Sequence, residues 1–563
     1  MKLSFQLIAL LTAAICGHVV SEEQATWEDE LEDLMEACPD YTEYAAERHP
    51  PYSEGPLRLP FQRPAEICRT FSSPYVEKVI EDITSRMVDK DLARIFQNAF
   101  PNTLDTTVRW HVNGSEPVKK PKKKKKSLAP AAWEGPQSFI VTGDINAEWI
   151  RDSTNQLAQY QVLAKKDPNI KNLILGAINT QAEFMIQAPY CNAFQPPPPS
   201  KLPPTNNGQA DTVHPAYEPS TVFECKYELD SLANFLSLGN QFYANSGSDA
   251  FLTQRWYLAL ETVLNVIAVQ SESTFDNTGQ YVRNEYTFQR TTNTGTETLN
   301  LRGIGNPLNN ETGLVRSAFR PSDDASILGF FIPANAMVSV ELKRTADTLQ
   351  KAGGKKELID QLRQLSKRIE QGIWEHGVVK HKLYGDVFAF EVDGYGSSIL
   401  MDDANLPSLL ALPLLGFVDQ DDKVYQNTRK MILSKTGNPY YLTGSAFHGI
   451  GGPHIGVQNA WPMSVLVRAR TAETDEEIME SINMVRDSSL LGLIHESVDV
   501  NRVRQYTRSW FAWANSVFAQ TILDLAERKP HLIFGKNAKP YRAADVEFDS
   551  TAPPKPHGRN EQV

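Results

Sequence analysis

The sequence predicts a predominantly α-helical (all-α) domain in which helical hairpins surround a common centre. Apolar residues recur every three or four positions over most of the chain, as at Leu358, Leu362, Leu365, Ile369 and Ile373, which define one helix face. Alternating apolar and polar residues, the pattern of a half-buried strand, are sparse. The sequence has no repeat of fixed period, which argues against an open α-solenoid, the main alternative.

The same periodicity locates the individual elements. Helices are predicted over residues 149–163, 173–185, 229–243, 256–267, 325–349, 358–373, 404–415, 424–433, 459–467, 476–490 and 510–525. Strands are predicted at residues 108–112, 281–288 and 383–392. The proline runs 196–199 and 203–204 predict an exposed loop, since proline cannot continue a helix, and the prolines after residue 548 predict a disordered tail.

Composition and charge limit the classes of partner. The 563 residues carry 56 Lys and Arg against 68 Asp and Glu, a net charge of −12, and 41% of them are hydrophobic. This is a globular composition, and an acidic chain lacks the positive surface that binds nucleic acid, so no such partner is expected. The lysine run 119–126 is predicted to be a solvated loop, with contact to an anionic polymer or membrane as the alternative.

The N-terminus has the pattern of a secretory signal peptide. A basic residue precedes the apolar residues 7–16, and small residues and then acidic residues follow. A membrane anchor is the alternative, but the apolar stretch falls short of the roughly 20 residues that span a bilayer. We expect cleavage after residues 1–21, an N-terminal extension at 22–64, and a secreted product, with the endoplasmic reticulum or Golgi lumen as the alternative. Asn113 and Asn310 are candidate N-glycan acceptors.

The cysteine content also fits an oxidising compartment. Removal of the N-terminal segment leaves Cys38, Cys68, Cys191 and Cys225, which permit two disulfides in three connectivities. Pairing of sequence neighbours, Cys38 with Cys68 and Cys191 with Cys225, is the preferred prediction. Four buried free thiols are the alternative.

Polar residues cluster at the joints between predicted helices. Asp144, Trp149, Arg151 and Asp152 lie where one helix is predicted to begin. An aromatic face among hydrogen-bonding groups suits a sugar ring, whose CH face stacks while its hydroxyls need polar partners. Helix capping by Asp144 and ion pairing of Arg151 with Asp152 would explain the same residues without a ligand. The local chemistry leaves both interpretations open.

Two further clusters offer carboxylates for catalysis. Ser322, Asp323 and Asp324 precede a predicted helix, and because one cap is sufficient, a carboxylate is left over. His495 and Glu496 follow an apolar run, where a partly desolvated carboxylate can act as a general acid or base.

Together these clusters resemble glycoside hydrolase family 125, whose fungal branch is the meiotically up-regulated gene 157 type. The similar motifs lie at residues 143–155, 227–231, 320–324, 332–335, 401–407 and 495–497. The resemblance covers about residues 65–530 and implies that this range is a catalytic (α/α)6 barrel with minor β hairpins and loop insertions. Residues 531–563 would then form a partly disordered tail.

The resemblance implies an inverting exo-α-mannosidase that is metal-independent, needs no cofactor and prefers terminal α-1,6-linked mannose of oligosaccharides or glycoprotein glycans. Inverting hydrolysis needs a general acid and a general base roughly 6.5–9.5 Å apart. By the match of motifs to the family, the general acid would be Asp323 or Asp324 and the general base would be Glu496. Adjacent helical residues project about 100° apart, so we assign the acid to Asp324 and the helix cap to Asp323. The sugar-binding residues would be Asp144, Trp149, Arg151, Asp152, Arg320 and His495.

We expect the mannosidase to be a monomer. Two other functions compete with this hypothesis. A helical terpene synthase would use the Asp-Asp pairs at 323–324 and 402–403 to bind Mg²⁺, but neither pair has the usual acid three residues later. A mannose-binding lectin would keep the sugar pocket without turnover. The presence of both candidate carboxylates argues against the lectin.

Overall fold

The computed structural model describes residues 38–114, 132–309 and 311–547. The α-helices in these ranges are α1 Tyr41–Tyr44, α2 Pro74–Arg86, α3 Lys90–Ala99, α4 Asn102–Thr106, α5 Ile150–Ala158, α6 Pro168–Gln187, α7 Leu229–Ser246, α8 Gln254–Val269, α9 Ile332–Lys351, α10 Lys356–Gly372, α11 Leu412–Leu415, α12 Lys423–Ile432, α13 Pro462–Arg470, α14 Asp475–Ser488, α15 Ala512–Arg528 and α16 Pro530–Phe534. A further turn, Asn300–Gly303, is left-handed at Leu301 and Arg302.

The strands in the described ranges are short and pair in antiparallel ladders of two or three. They are β1 Val108–Val112, β2 Gln137–Ile140, β3 Glu148–Trp149, β4 Ala193–Phe194, β5 Thr212–His214, β6 Val222–Glu224, β7 Thr287–Gln289, β8 Phe330–Phe331, β9 Val378–His381, β10 Gly385–Phe388, β11 Glu391–Val392, β12 Ser398–Ile399, β13 Tyr441–Thr443, β14 His448–Ile450, β15 Asn459–Ala460 and β16 Val498–Asp499. The ladders β3–β4–β6, β8–β11–β12 and β15–β16 include the strands that precede α5, α9 and α13. They therefore fix where these helices begin.

Six helices form an inner ring, and their hairpin partners surround them. Helix α5 packs on α7, α7 on α9 and α9 on the one-turn helix α11, while α13 packs on α15 and α15 returns to α5. Leu415 of α11 and Arg470 of α13 line one cavity, so the ring closes there. Helices α6, α8, α10, α12 and α14, together with α3, lie outside the ring. This architecture is the (α/α)6 barrel that the sequence resemblance implied.

Burial distinguishes the two layers. Inner helix α7 is buried around its circumference, because neighbours flank it on both sides. Outer helix α10 buries only the stripe Ile359, Leu362 and Ile369 together with two smaller residues, and its remaining face is polar. The inner helices are therefore the rigid elements on which side chains can be positioned.

Most predicted helices are confirmed, but two predictions are wrong. The helix predicted at 325–349 begins only at Ile332, because residues 320–328 form a turn. The helix predicted at 404–415 is reduced to α11, since Pro413 suits the first turn of a helix but not its interior. The predicted strand at 281–288 shrinks to β7.

Three further outcomes concern the first long helices, one predicted strand and the proline segment. Helices α2 and α3 were not predicted, although Ser73 and Asp89 cap them with side-chain hydrogen bonds. The predicted strand at 383–392 splits into β10 and β11. The proline segment is a loop as predicted, with one 3₁₀ turn at Pro198–Ser200, but Pro196 and Pro197 are buried in it.

Both predicted disulfides are present. Cys38 is bonded to Cys68 and Cys191 to Cys225. The second disulfide joins the segment after α6 to the segment before α7, so it reaches the end of the barrel where the inner helices begin.

Segments at both ends of the described chain pack on the barrel. Leu59 is buried on the N-terminal side, and Ile533 and Val546 are buried on the C-terminal side. The signal peptide, the lysine run 119–126, Asn310 and the tail from residue 548 lie outside the described residues. Within the described ranges, no helix has the length and apolarity needed to cross a membrane.

A buried ion network holds the N-terminal segment. Arg63 Nε donates to Asp105 (2.7 Å) and Arg63 Nη2 donates to Glu77 (2.6 Å), with Arg63 and Asp105 both buried. Arg63→Ala leaves the Asp105 carboxylate without its main partner, so the free energy of unfolding should fall by about 3–5 kcal/mol in urea denaturation. The control Arg363→Ala removes an exposed pair with Asp347 and should cost less than about 1 kcal/mol. Equal losses would contradict this account of Arg63.

Candidate active site

A cavity of about 290 Å³ lies where the inner helices begin. It is lined by Thr142, Ile145, Trp149, Arg151, Asp152, Asn207, Gln209, Phe223, Glu224, Lys226, Arg290, Glu297, Pro321, Ser322, Asp323, Asn405, His454, Trp461, Glu496, Arg508, Phe511 and Trp513. All six inner elements contribute at or just before their N-terminal ends. The lining combines carboxylates, cations and aromatic rings.

A larger cavity of about 800 Å³ lies at the opposite end of the barrel. The last turns of α7, α9 and α13 line it, together with amide side chains such as Asn240 and Gln520. The candidate catalytic carboxylates all lie at the other end. We therefore place the chemistry in the smaller cavity, despite its size.

Glu496 is held on one side of the smaller cavity, in the loop before α15. Thr507 Oγ1 donates to its Oε2 (2.7 Å) and Arg508 Nε donates to its Oε1 (3.1 Å). Arg508 also pairs with Asp144, so one guanidinium joins two of the predicted clusters. The side chain of Glu496 is 9% exposed. It is oriented by two donors and still reaches the cavity.

Asp323 lies in the turn that replaces the predicted helix start. It has φ of +65°, in the left-handed region, and the Arg320 N–H donates to the Asp324 carbonyl to close the turn (2.8 Å). The assignment of Asp323 as a helix cap is therefore wrong, because α9 begins nine residues later at Ile332. The turn points the Asp323 carboxylate into the cavity.

Four groups surround the Asp323 carboxylate. Its Oδ1 accepts from Asn192 Nδ2 (2.9 Å) and from Trp149 Nε1 (3.4 Å), while Arg151 and Lys226 lie 3.8 and 4.0 Å away. Burial raises the pKa of Asp323, but the positive charges of Lys226 and Arg151 outweigh burial and hold the pKa below its usual value. Its side chain remains 24% exposed.

Asp324 faces away from the cavity and is buried. Its Oδ2 accepts from Ser322 Oγ (3.0 Å), and burial together with the nearby Asp403 carboxylate raises its pKa to about 6. Asp324 is absent from the cavity lining, whereas Asp323 is part of it. Asp324 was expected to face the cavity and Asp323 to cap the helix. In the structure Asp323 faces the cavity and Asp324 does not.

Acidic side chains are packed beneath Asp323 around one guanidinium. Arg151 lies 2.5 Å from Glu228, 3.5 Å from Asp230 and 3.4 Å from Asp152. Burial raises the pKa of Asp152 to about 7, that of Asp230 to about 6, and that of Glu228 well above its usual value. These carboxyl groups bind protons more tightly than exposed ones do.

Five of the predicted site residues meet in the cavity: Trp149, Arg151, Asp152, Asp323 and Glu496. The other predicted residues do not line it. Asp144 is not part of the cavity lining and pairs with Arg508, which is.

Two other residues predicted to bind ligand lie outside the cavity lining. Arg320 is buried against Glu391, to which its Nε donates (2.6 Å). Glu391 also accepts from the Ile327 and Leu328 N–H groups, so this pair braces the turn that carries Asp323. His495 is buried and stacked on Tyr506, with ring centroids 4.0 Å apart.

Several residues of the site were not assigned from sequence. Lys226 and Glu228 lie in or beside the motif at 227–231, which was noticed but given no role. Trp513 also lines the cavity and was given no role from sequence. Phe223 and Trp461 come from short strands and helix starts that carry no local signal of a cavity.

The arrangement can perform acid–base chemistry on a neutral polar ligand. Two carboxylates, Asp323 and Glu496, reach one cavity from different loops, which is the requirement for protonating one atom while activating water at another. Aromatic rings of Phe223, Trp461 and Trp513 provide apolar faces between the polar groups.

Comparisons with known proteins agree on one family. A family model described as metal-independent alpha-mannosidase (GH125) matches residues 89–523. The meiotically up-regulated gene 157 protein of Schizosaccharomyces pombe is 54% identical over 504 residues, covering 89% of this chain and 95% of that protein. A metal-independent alpha mannosidase from Streptococcus pneumoniae, solved as a non-productive substrate complex with alpha-1,6-mannobiose, is 29% identical with a TM-score of 0.70, covering 81% of this chain and 99% of that chain.

The buried ring of His495 generates a pH-dependent prediction. Burial lowers its pKa from 6.5 to about 4, although its Nδ1 donates to the Arg508 carbonyl (2.8 Å). The unfolded chain therefore binds one more proton than the folded chain between pH 6.5 and 4, and the free energy of unfolding falls as the pH drops through this window. Denaturant titrations at several pH values should show a smaller fall for His495→Gln than for the wild type. Identical pH dependence would contradict a neutral, buried His495.

Proposed function

The chain belongs to the metal-independent α-mannosidases of glycoside hydrolase family 125, and we propose that it removes terminal α-1,6-linked mannose from oligosaccharides with inversion at the anomeric carbon. One observation carries the mechanism: Asp323 and Glu496 are brought from separate loops to one cavity. The α-1,6 linkage is proposed because the Streptococcus pneumoniae relative binds alpha-1,6-mannobiose.

We assign the general acid to Asp323. Its carboxylate lines the cavity, whereas Asp324 is turned away toward Ser322 and Asp403. A general acid must come within hydrogen-bond reach of the glycosidic oxygen, so direction decides between two adjacent residues. The tryptophan N–H of Trp149 and the amide of Asn192 fix the orientation of the acid.

We assign the general base to Glu496. Thr507 and Arg508 each donate to one of its oxygens, which keeps the carboxylate oriented. An ionised carboxylate can accept a proton from water as the water attacks the anomeric carbon. Asp323 would give its proton to the departing oxygen in the same step.

The remaining lining would hold the terminal sugar. Arg151 and Asp152 offer a donor and an acceptor for hydroxyl groups, and Trp513 and Phe511 offer apolar faces for the ring. A cavity of about 290 Å³ is sized for a sugar residue at a chain end rather than for a long polymer crossing the site. This size supports exo action.

Replacement of the acid should affect substrates unequally. Asp323→Asn should lower kcat/KM for α-1,6-mannobiose by about 10²–10⁴-fold, since the leaving oxygen is no longer protonated. The same variant should retain most activity on an α-mannosyl fluoride, whose leaving group departs without a proton. Initial rates on both substrates give this comparison.

The neighbouring and opposite carboxylates provide the controls. Asp324→Asn should not show the selective loss, and Glu496→Gln should lose activity on both substrates because the attacking water is no longer activated. Selective loss in Asp324→Asn instead would reverse our assignment of the acid. Binding of mannobiose without any turnover by the wild type would indicate a lectin and refute the proposed function.

We also propose that the protein folds in the secretory pathway. The two disulfides within the described residues support this location, and Asn113 is exposed on the barrel surface. Protein made in its own host should therefore lose mass on enzymatic deglycosylation, and Asn113→Gln should reduce that loss. A peptide map showing unmodified Asn113 would contradict this prediction.

A further inference from the structure

Glu228 lies directly behind the proposed acid and has no role in the mechanism above. Its side chain is 0% exposed and is absent from the cavity lining. Arg151 Nη1 and Ser231 Oγ both donate to its Oε2, at 2.5 and 3.0 Å. Because Glu228 cannot touch substrate, any effect on the reaction must pass through a neighbour.

Asn192 and Arg151 connect Glu228 to Asp323. Asn192 Nδ2 donates both to Glu228 Oε1 (3.1 Å) and to Asp323 Oδ1 (2.9 Å). Arg151 likewise faces both carboxyl groups, 2.5 Å from Glu228 and 3.8 Å from Asp323. Two carboxyl groups that share an amide donor and a cation at these distances form a coupled pair.

The surrounding protein keeps this pair in place. Asn192 follows Cys191 in the chain and Lys226 follows Cys225, so the Cys191–Cys225 disulfide holds both residues that flank Asp323. The Lys226 N–H also donates to Asn192 Oδ1 (3.0 Å), which fixes the orientation of the bridging amide.

The charges around the pair are unbalanced. The titratable and charged groups that face it are Arg151, Asp152, Asp230, Lys226, Glu224, Arg290, His454 and Arg508. Glu224 pairs with Lys226 and Arg290. Four carboxyl groups lie around Arg151, those of Asp152, Glu228, Asp230 and Asp323. Buried carboxylates in excess of cations cannot all be ionised, because like charges at low dielectric repel strongly.

We propose that Glu228 is a positioning residue that shares one proton with Asp323 and keeps this proton available for transfer to the glycosidic oxygen. The inference rests on the proposed function and deepens it. In the resting enzyme the proton lies between the two carboxyl groups. In the reaction, Asp323 passes it to the leaving oxygen as the C–O bond breaks, and Glu496 takes a proton from the attacking water.

The cycle closes without another reactant. After product release the proton on Glu496 returns through solvent to the Glu228–Asp323 pair, so the net reaction consumes one water per bond. The directions of the two pKa shifts agree with this account. Burial raises the pKa of Glu228 far above its usual value, and Lys226 and Arg151 lower that of Asp323 against the effect of burial, so the resting proton lies nearer Glu228.

Glu228→Gln tests the shared proton directly. Glutamine is nearly isosteric but cannot give up a proton, and its amide would donate to Asp323 and favour the ionised form. The basic limb of the pH profile of kcat/KM on α-1,6-mannobiose should shift to lower pH by about one unit or more, with at least tenfold lower activity at pH 7. Activity on α-mannosyl fluoride should stay within about threefold of wild type.

Asp230→Asn is the matched control, since Asp230 also contacts Arg151, whereas within the described residues the amide of Asn192 donates to Glu228 and Asp323 and not to Asp230. It should change both substrates together and move the basic limb less than Glu228→Gln does, because Asp230 acts on the pair through its charge and not through the bridging amide. If Glu228→Gln loses activity equally on both substrates and the basic limb of its pH profile does not move, the proposal is overturned. Glu228 would then be a structural partner of Arg151.

Two further measurements separate a folding defect from loss of the shared proton, and failure of this proposal from failure of the proposed function. If Glu228→Gln fails to fold, Glu228→Asp retains a titratable partner for Arg151 but moves it away from Asp323. An unmoved basic limb in Glu228→Asp would then overturn the proposal, and a shift in the same direction as expected for glutamine would support it. Absence of wild-type turnover, or an unselective Asp323→Asn, would refute the proposed function itself.

Discussion

The buried guanidinium of Arg151 is the interaction on which the catalytic end of the barrel depends. It is 3% exposed, it follows directly on β3 at the start of α5, and it contacts carboxylates from the start of α7 and from the turn before α9. Three of the six inner elements therefore meet at one cation. Loss of this charge would leave several buried carboxylates without a partner, which costs far more than an exposed pair is worth.

This constraint explains why the site lies where the inner helices begin. Short strand ladders fix these helix starts, and the Cys191–Cys225 disulfide joins two of the segments that supply polar groups. A buried Arg320–Glu391 pair braces the turn of Asp323 from behind. The proposed acid and the opposing Glu496 thus lie in loops that these contacts hold against the inner helices, which gives the fixed geometry that proton transfer requires.

Sequence reasoning predicted the helical framework, both disulfides and five of the residues that line the cavity: Trp149, Arg151, Asp152, Asp323 and Glu496. The prediction that Asp323 caps a helix was wrong, because Ser and Asp before an apolar run resemble a helix cap. The segment is a turn braced by the long-range Arg320–Glu391 pair, which the local pattern does not reveal. Asn192 and Lys226 could not be found in this way. Their role comes from contacts with Asp323, which lies 131 residues after Asn192 and 97 after Lys226, and local spacing gives no signal of such contacts.

In the proposed mechanism Asp323 and Glu496 act on opposite faces of the same sugar, so that water replaces the leaving group in a single inverting step. Proton NMR of the first product formed from α-1,6-mannobiose, recorded before mutarotation equilibrates the anomers, tests this step. We expect β-mannose to appear first and the α anomer to grow in later. Initial release of α-mannose would refute inversion by this pair, because retention requires a covalent intermediate that these two residues are not proposed to form.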